Sequence, residues 1–227
     1  MKKLLRGIAD FRSRVRPAYR DMFAQLALGQ RPDCLFIACA DSRVVPNMVA
    51  STDPGDLFVM RNVGNLVPPL GPDGVSLGDE SEWAAIEFAV ETLAVSEIVV
   101  CGHSNCGAIH ALHGGRERVV APHLRSWLRH AEPALSRHAD EDERGRTLAG
   151  VSAVDRISQL NVLVQIDHIR TYDIVRERVE AGLLRLHAWW FDVANADVYA
   201  FEDARDRFVL MDEAEAHRLI ARLGDEP

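Results

Sequence analysis

The sequence predicts an α/β fold, with a mainly parallel central β-sheet flanked by helices and preceded by an N-terminal helical arm. Short continuous apolar runs such as CLFIACA (34–40) and EIVVC (97–101) read as strands buried on both faces. Stretches of helical period lie between them, and alternation of strand and helix favours parallel pairing. The 227 residues, 48% of them apolar, supply enough material for a core. No internal repeat or long linker divides them. We therefore expect one domain over 1–227, with an arm at 1–28, a core at 29–202 and a tail at 203–227.

The arm comes first. Leu4, Ile8, Phe11, Val15, Tyr19, Met22 and Leu26 follow three- and four-residue steps and form one apolar stripe, with basic residues on the other faces. Pro17 divides or kinks it. The stripe suits packing on the domain or on a second subunit better than lying on a membrane surface. Gly29 and Pro32 end this region. Strands are expected at 34–40, 56–60 and 97–101, and helices at 83–93 and 104–113. Residues 63–78, rich in Pro and Gly, read as loop. Further on we expect a helix at 122–130, a loop at 138–146 and helices at 151–170 and 172–181. Strands at 183–193 and 198–201 flank an Asn195-Ala196-Asp197 turn, and a short helix covers 212–223.

With 26 Lys and Arg against 34 Asp and Glu, the net charge of −8 argues against a nucleic-acid partner. No apolar run approaches the roughly 20 residues of a membrane span. The opening MKKLL resembles a signal peptide, but Arg6, Asp10, Arg12 and Arg14 interrupt any apolar stretch. A cytoplasmic protein with no membrane partner is expected. Four cysteines are too few for a disulfide scaffold.

Two segments carry chemistry: Cys39-Ala40-Asp41-Ser42-Arg43 at the end of the first strand, and Gly102-His103-Ser104-Asn105-Cys106-Gly107 after the third. In an open parallel sheet, ligands gather beyond the carboxyl ends of the strands. His103 and Cys106, three apart, would share one side of a helix start, and Cys39 could approach from the neighbouring strand. Two thiolates and an imidazole suit zinc, and three protein ligands leave a fourth position open. The plain alternative is a pair of core thiols with a capping histidine. A carboxylate at Asp41 could accept a hydrogen bond from water at that fourth position, with Arg43 keeping it ionised and aimed.

At this point the sequence resembles a known family. CADSR followed by GHSNCGA is similar to the C-x-D-x-R and H-x-x-C motifs of the β-class carbonic anhydrases. Residues 58–65 (FVMRNVGN) match the family's R-N-x-x-N loop, and Asn161-Val162-Leu163, Gly182-Leu183-Leu184 and Leu186-His187-Ala188-Trp189 fit its C-terminal half. The resemblance covers about residues 29–201. It implies zinc held by Cys39, His103 and Cys106, a catalytic dyad of Asp41 and Arg43, and reversible hydration of CO2 to bicarbonate. It further implies a substrate site made by Gln30, Phe58, Val63, Phe88 and the backbone N–H of Gly107. Phe88 replaces a tyrosine often found there, and Ala188 replaces a glycine. The family's pocket takes residues from two chains, so a homodimer or larger assembly is implied, with Phe88 or Gln30 reaching the neighbouring zinc.

Some members close at low pH, and one branch couples closure to bicarbonate held by a tryptophan, an arginine and a tyrosine. Here those positions are Phe36, Arg61 and Phe191, so two polar hydrogens are missing. An open, plant-like site without cooperative bicarbonate inhibition is expected. Two rivals stand beside this reading: hydrolysis of carbonyl sulfide or carbon disulfide on the same zinc, and a non-catalytic zinc-binding interaction or sensor protein. Among the remaining residues, Cys34 and Cys101 read as inert core thiols, with a Cys101–Cys106 redox pair as the weaker alternative. His123, His130 and His138 read as solvated, His110 and His113 as partly buried polar residues, and Trp127, Trp189 and Trp190 as core or interface. Gly71, Gly74 and Gly78 lack the surroundings of a phosphate loop.

Overall fold

The computed structural model describes residues 1–71, 74 and 80–223. The arm consists of α1 (Lys2–Asp10) and α2 (Arg16–Leu26), joined by a π-helical turn at Phe11–Val15. Pro17, as expected, marks the division of the arm into two α-helices. It occupies the first turn of α2, and the wider turn before it absorbs the missing N–H. None of the arm's residues is buried within the chain.

Strand β1 (Cys34–Cys39), helix α3 (Pro46–Val49) and strand β2 (Leu57–Asn62) follow. Next come α4 (Glu80–Glu87), continued by a π-turn at Phe88–Thr92, then β3 (Glu97–His103), α5 (Gly107–His113), α6 (Pro122–Trp127), α7 (Glu132–Ala139) and α8 (Glu141–Gly145). The long helix α9 (Ala153–Arg170) and α10 (Asp173–Glu180) lead into β4 (Arg185–Asp192), β5 (Asp197–Glu202), β6 (Arg207–Leu210) and α11 (Glu213–Leu223).

The six strands form one sheet in the order β2-β1-β3-β4-β5-β6. The first four in that order run parallel, and β5 and β6 add antiparallel at one edge. This is the expected α/β architecture. Alternate side chains of the parallel strands feed two cores. Leu35, Ile37, Ile98 and Val100 face one side with α9, while Cys34, Phe36, Val99 and Cys101 face the other with Phe191. Both faces of β1 are covered, which is why its run is apolar without alternation. Helix α9 lies against the end of β3, and Gly102 permits that approach. A Cβ there would meet Val162 Cγ2 at 2.6 Å.

Three expectations needed correction. Residues 138–146 are not loop. They complete α7 and form α8, whose start Asp140 caps by accepting hydrogen bonds from the N–H groups of Asp142 (2.8 Å) and Glu143 (3.2 Å). Strand β6 was not anticipated, being only four residues after a turn in which Asp206 takes a left-handed conformation at φ 49°. The third strand runs two residues further, to His103. Parts of the loop expected at 63–78, including Gly78, and the end of the tail at 224–227 lie outside the described residues.

His130 departs from its solvated reading as well. It is 5% exposed, its ring 5.5 Å from that of Trp127, and burial pushes its pKa down to about 4. His138 is half-buried, and His123 is exposed. An imidazole held neutral in the folded state takes up a proton on unfolding. The stability this contributes is complete above the ordinary histidine pKa of about 6.5 and is lost as pH falls toward about 4. Urea unfolding at pH 7.5 and pH 4.5 should show this loss, on the order of a few kcal/mol, and His130→Phe should remove that part of the pH dependence. Identical dependence in the two proteins would contradict it.

Candidate active site

The carboxyl ends of β1 and β3 lie side by side, since the two strands pair in parallel register from Cys34↔Glu97 to Ala38↔Cys101. This brings Cys39 and His103, the last residues of their strands, to one place. The chain then turns through Ser104 and Asn105, the latter at φ 53°, and Cys106 caps the start of α5. His103 is thus on a strand and not on a helix start; strand end, turn and helix cap make the convergence. The donor atoms of Cys39, His103 and Cys106 lie within 4.8 Å of one another, and all three residues are buried.

The imidazole is fixed in one sense. Nδ1 lies 2.9 Å from the Ser104 carbonyl oxygen, which can only accept, so the ring donates there and Nε2 keeps its lone pair. Nε2 is buried and has no hydrogen-bond partner. The Cys39 sulfur accepts a hydrogen bond from Gly64 N–H at 3.4 Å. The Cys106 thiol beside it draws Cys39 toward the thiolate, and His103 adds to this. The same contact and burial push Cys106 up. The two sulfurs therefore favour one negative charge between them, and a dication would allow a second. With a buried, partnerless imidazole nitrogen beside them, these residues fit a zinc ion.

Asp41 and Arg43 stand next to this cluster. Arg43 Nε and Nη2 donate to Asp41 Oδ1 and Oδ2 at 2.9 and 2.8 Å, and Arg43 N–H adds 3.0 Å to Oδ1. The guanidinium holds the Asp41 carboxyl well below the usual carboxylate range. Asp41 Oδ2 lies 3.9 Å from His103 Nε2. Arg43 Nη2 also donates to Asn105 O at 3.0 Å, tying the first segment to the second. Arg61 clamps the backbone between them, donating to Cys39 O (3.0 Å) and Asp41 O (2.7 Å).

The residues expected at the substrate site divide. Gly107 follows Cys106 as the first residue of α5, with open space where a Cβ would project. Val63 lines a cleft of about 890 Å³ with Ala40, Arg61 and Trp127, whose Nε1 donates to Val63 O at 2.7 Å. Phe58 pairs in register with Leu35, four residues before Cys39, which places it about 13 Å along the strands from the cluster. Its ring lies 5.7 Å from that of Phe88, which is 42% exposed. Gln30 sits before β1, in a separate hollow with Leu26 and Gly55. Within one chain, then, Gln30, Phe58 and Phe88 lie toward the end of the sheet away from Cys39.

Cys34 and Cys101 are inert, as read from the sequence: burial pushes both thiols up to about 12. Cys101 belongs to the core on the other side of the sheet from Cys106, so the two form no pair. Phe36 and Phe191 are buried in that same core, Phe36 edge-on to Trp189 at 5.9 Å. His110 and His113 are both exposed and not partly buried, and His110 Nε2 contacts Asn105 Oδ1 at 2.7 Å. The sequence motifs contain Gly64, Asn105 and Asn161 but assign none of them a role, and the other side chains of α9 that hold this region are not singled out. Polar residues recurring every three or four positions in an otherwise apolar helix were the signal.

The carbonic anhydrase family profile matches residues 34–198. A carbonic anhydrase of Pseudomonas aeruginosa is 37% identical over 229 residues, covering 100% of this chain and 98% of that protein. The structure of the β-carbonic anhydrase CcaA is similar at a TM-score of 0.82 and 35% identity, covering 92% of this chain and 98% of that one. One of two tetrameric β-carbonic anhydrases from Sordaria macrospora gives 0.73 and 30%, covering 88% and 95%.

Zinc analysis of purified variants should find about one ion per chain in the parent and essentially none in Cys39→Ala or His103→Ala, while Cys101→Ala keeps it. Full zinc in Cys39→Ala would remove that residue from the ligand set.

Proposed function

The chain belongs to the β-carbonic anhydrase family, and from that we infer that it carries out the zinc-dependent reversible hydration of CO2 to bicarbonate and a proton, with Cys39, His103 and Cys106 holding the ion. The observation that carries this is the buried pair of thiols around a partnerless imidazole nitrogen, with an ionised Asp41 beside it. When bound, zinc supplies a Lewis acid that lowers the pKa of water toward neutrality. Two thiolates donate more charge than two imidazoles would, so the working pH is expected to sit higher than at an all-histidine site.

The chain's own residues do the rest. Asp41 accepts a hydrogen bond from the attacking water and turns its lone pair toward CO2. Arg43 keeps Asp41 anionic and, through Asn105 O, fixed relative to the His103–Cys106 segment. Val63 and the N–H of Gly107 face the substrate. Asp41 rests on Arg43, which supports an open, plant-like site. Phe36 and Phe191, packed as core aromatics, offer no donor for a second bicarbonate. Both thiols must stay reduced to hold zinc, and this supports a reducing compartment such as the cytoplasm.

The remaining pocket residues call for a second copy of the chain. Leu4 and Ile8 are each 65% exposed, and an isolated helix with such a stripe has little reason to stay ordered. The outer edge of β2 has no strand partner among the described residues. Gln30, Phe58 and Phe88 of one copy would then complete the pocket of the other.

In Asp41→Ala, zinc should remain while CO2 hydration falls by about 10²-fold or more. Unaltered turnover across pH would reduce Asp41 to a surface partner of Arg43. Sedimentation should find a dimer or larger species at micromolar concentration, and removal of residues 1–28 should weaken association and activity together. An active monomer of the full chain would refute the shared pocket.

A further inference from the structure

Helix α9 carries a row of polar side chains that a core helix has no packing reason to hold. Ser158, Asn161 and Gln165 are 2%, 1% and 0% exposed. With Asp155 and His168 they recur at three- and four-residue steps, which places them along one side of the helix. A buried amide left without partners costs about 1–3 kcal/mol, so what these groups bond is informative.

Their hydrogen-bond partners converge on the metal cradle. Asp155 Oδ1 accepts from Asn105 N–H at 2.7 Å, in the turn between His103 and Cys106. Ser158 Oγ donates to the carbonyl oxygen of His103 at 2.9 Å. Asn161 Nδ2 donates to Gly64 O at 3.2 Å. Gln165 Nε2 donates to Asn161 Oδ1 at 2.9 Å and to His130 O at 3.1 Å, and its Oε1 accepts from Val67 N–H at 2.8 Å. His168 Nδ1 is 2.8 Å from Val67 O. Gly64 is the link to the ligands: its N–H donates to Cys39 Sγ while its carbonyl is held by Asn161. It has φ +88°, and a Cβ there would come within 3.1 Å of Ala108 Cβ, so only glycine fits the position without strain.

We propose that Asn161 and Gln165 are positioning residues of the metal centre: from α9 they hold Gly64 so that its N–H stays on the Cys39 sulfur, and thereby set how tightly zinc is kept. Asn161 acts directly on Gly64. Gln165 fixes the orientation of the Asn161 amide and pins the same loop at Val67. The inference rests on the reading of Cys39, His103 and Cys106 as the zinc ligands. Hydrogen-bonded neighbours of ligands commonly alter metal affinity by about 10–100-fold.

Helix α9 also supplies an internal control. Gln159 is 0% exposed like Gln165, but its Oε1 accepts from Leu148 N–H, outside the cradle. Gln165→Met and Gln159→Met each remove one buried amide from the same helix at nearly constant volume. Zinc affinity is measured by chelator competition, and the cobalt-substituted proteins are compared by their thiolate-to-cobalt absorption. Gln165→Met should bind zinc about 10–100-fold more weakly than the parent and shift the cobalt band. Gln159→Met should match the parent in both, whatever each variant does to thermal stability. Equal zinc affinity in the two variants with an unshifted band overturns the proposal. If Gln165→Met does not fold, Asn161→Asp, which replaces the donor to Gly64 O by an acceptor, is compared with Gln159→Met for the same outcomes. A parent chain that takes up no zinc would instead remove the reading of the ligand set.

Discussion

The parallel pairing of β1 with β3 is the constraint on which the site depends. It sets two strand ends side by side, so a thiol from one and an imidazole from the other meet without either strand bending. The second thiol needs only a short turn after His103, with Asn105 in a left-handed conformation, to come back to the same point. The apolar faces of both strands are covered by separate cores, and this keeps the polar ends in register.

Around that meeting point each segment is tied to another. Arg43 joins Asp41 to the carbonyl of Asn105, and Arg61 joins β2 to the backbone on both sides of Ala40. Helix α9 joins the turn, the strand end and the loop through Gly64. Each of these bonds joins a side chain to a backbone group. The arrangement is therefore held by main-chain positions, and the ligand side chains need little freedom to find their places.

The strand runs were legible because burial on both faces leaves an unbroken apolar signature. CLFIAC and EIVVC need no partner to be recognised, and the ligand motifs sit directly at their ends. The helical character of residues 138–146 was legible only in the acids around Asp140, which favour a helix start but also favour solvent. Strand β6 has four residues and a single buried one, too little to show a period. The site was legible as far as the ligands and the dyad. What holds them was not, because Asn161 or Gln165 in an apolar helix gains meaning only once the loop it bonds is known to lie opposite. No pattern in the residues themselves separates Gln30 and Phe88 from Cys39; only the family resemblance pointed them toward a neighbouring chain, and the fold sets them at the far end of the sheet.

Sequence distance gives the cradle a further property. Cys39 and His103 are joined by a long stretch of chain, and their approach requires β1 to be paired with β3. Closing a loop of that length carries an entropic cost that no local contact repays, so it is met only as the sheet assembles. An unfolded chain presents zinc with one adjacent pair, His103 and Cys106, and a remote third donor. The complete set exists only in the assembled sheet, so the ion is drawn to chains that have already passed this step and stabilises them by mass action. Metal loading in this protein is thus a measure of strand order as much as of zinc supply.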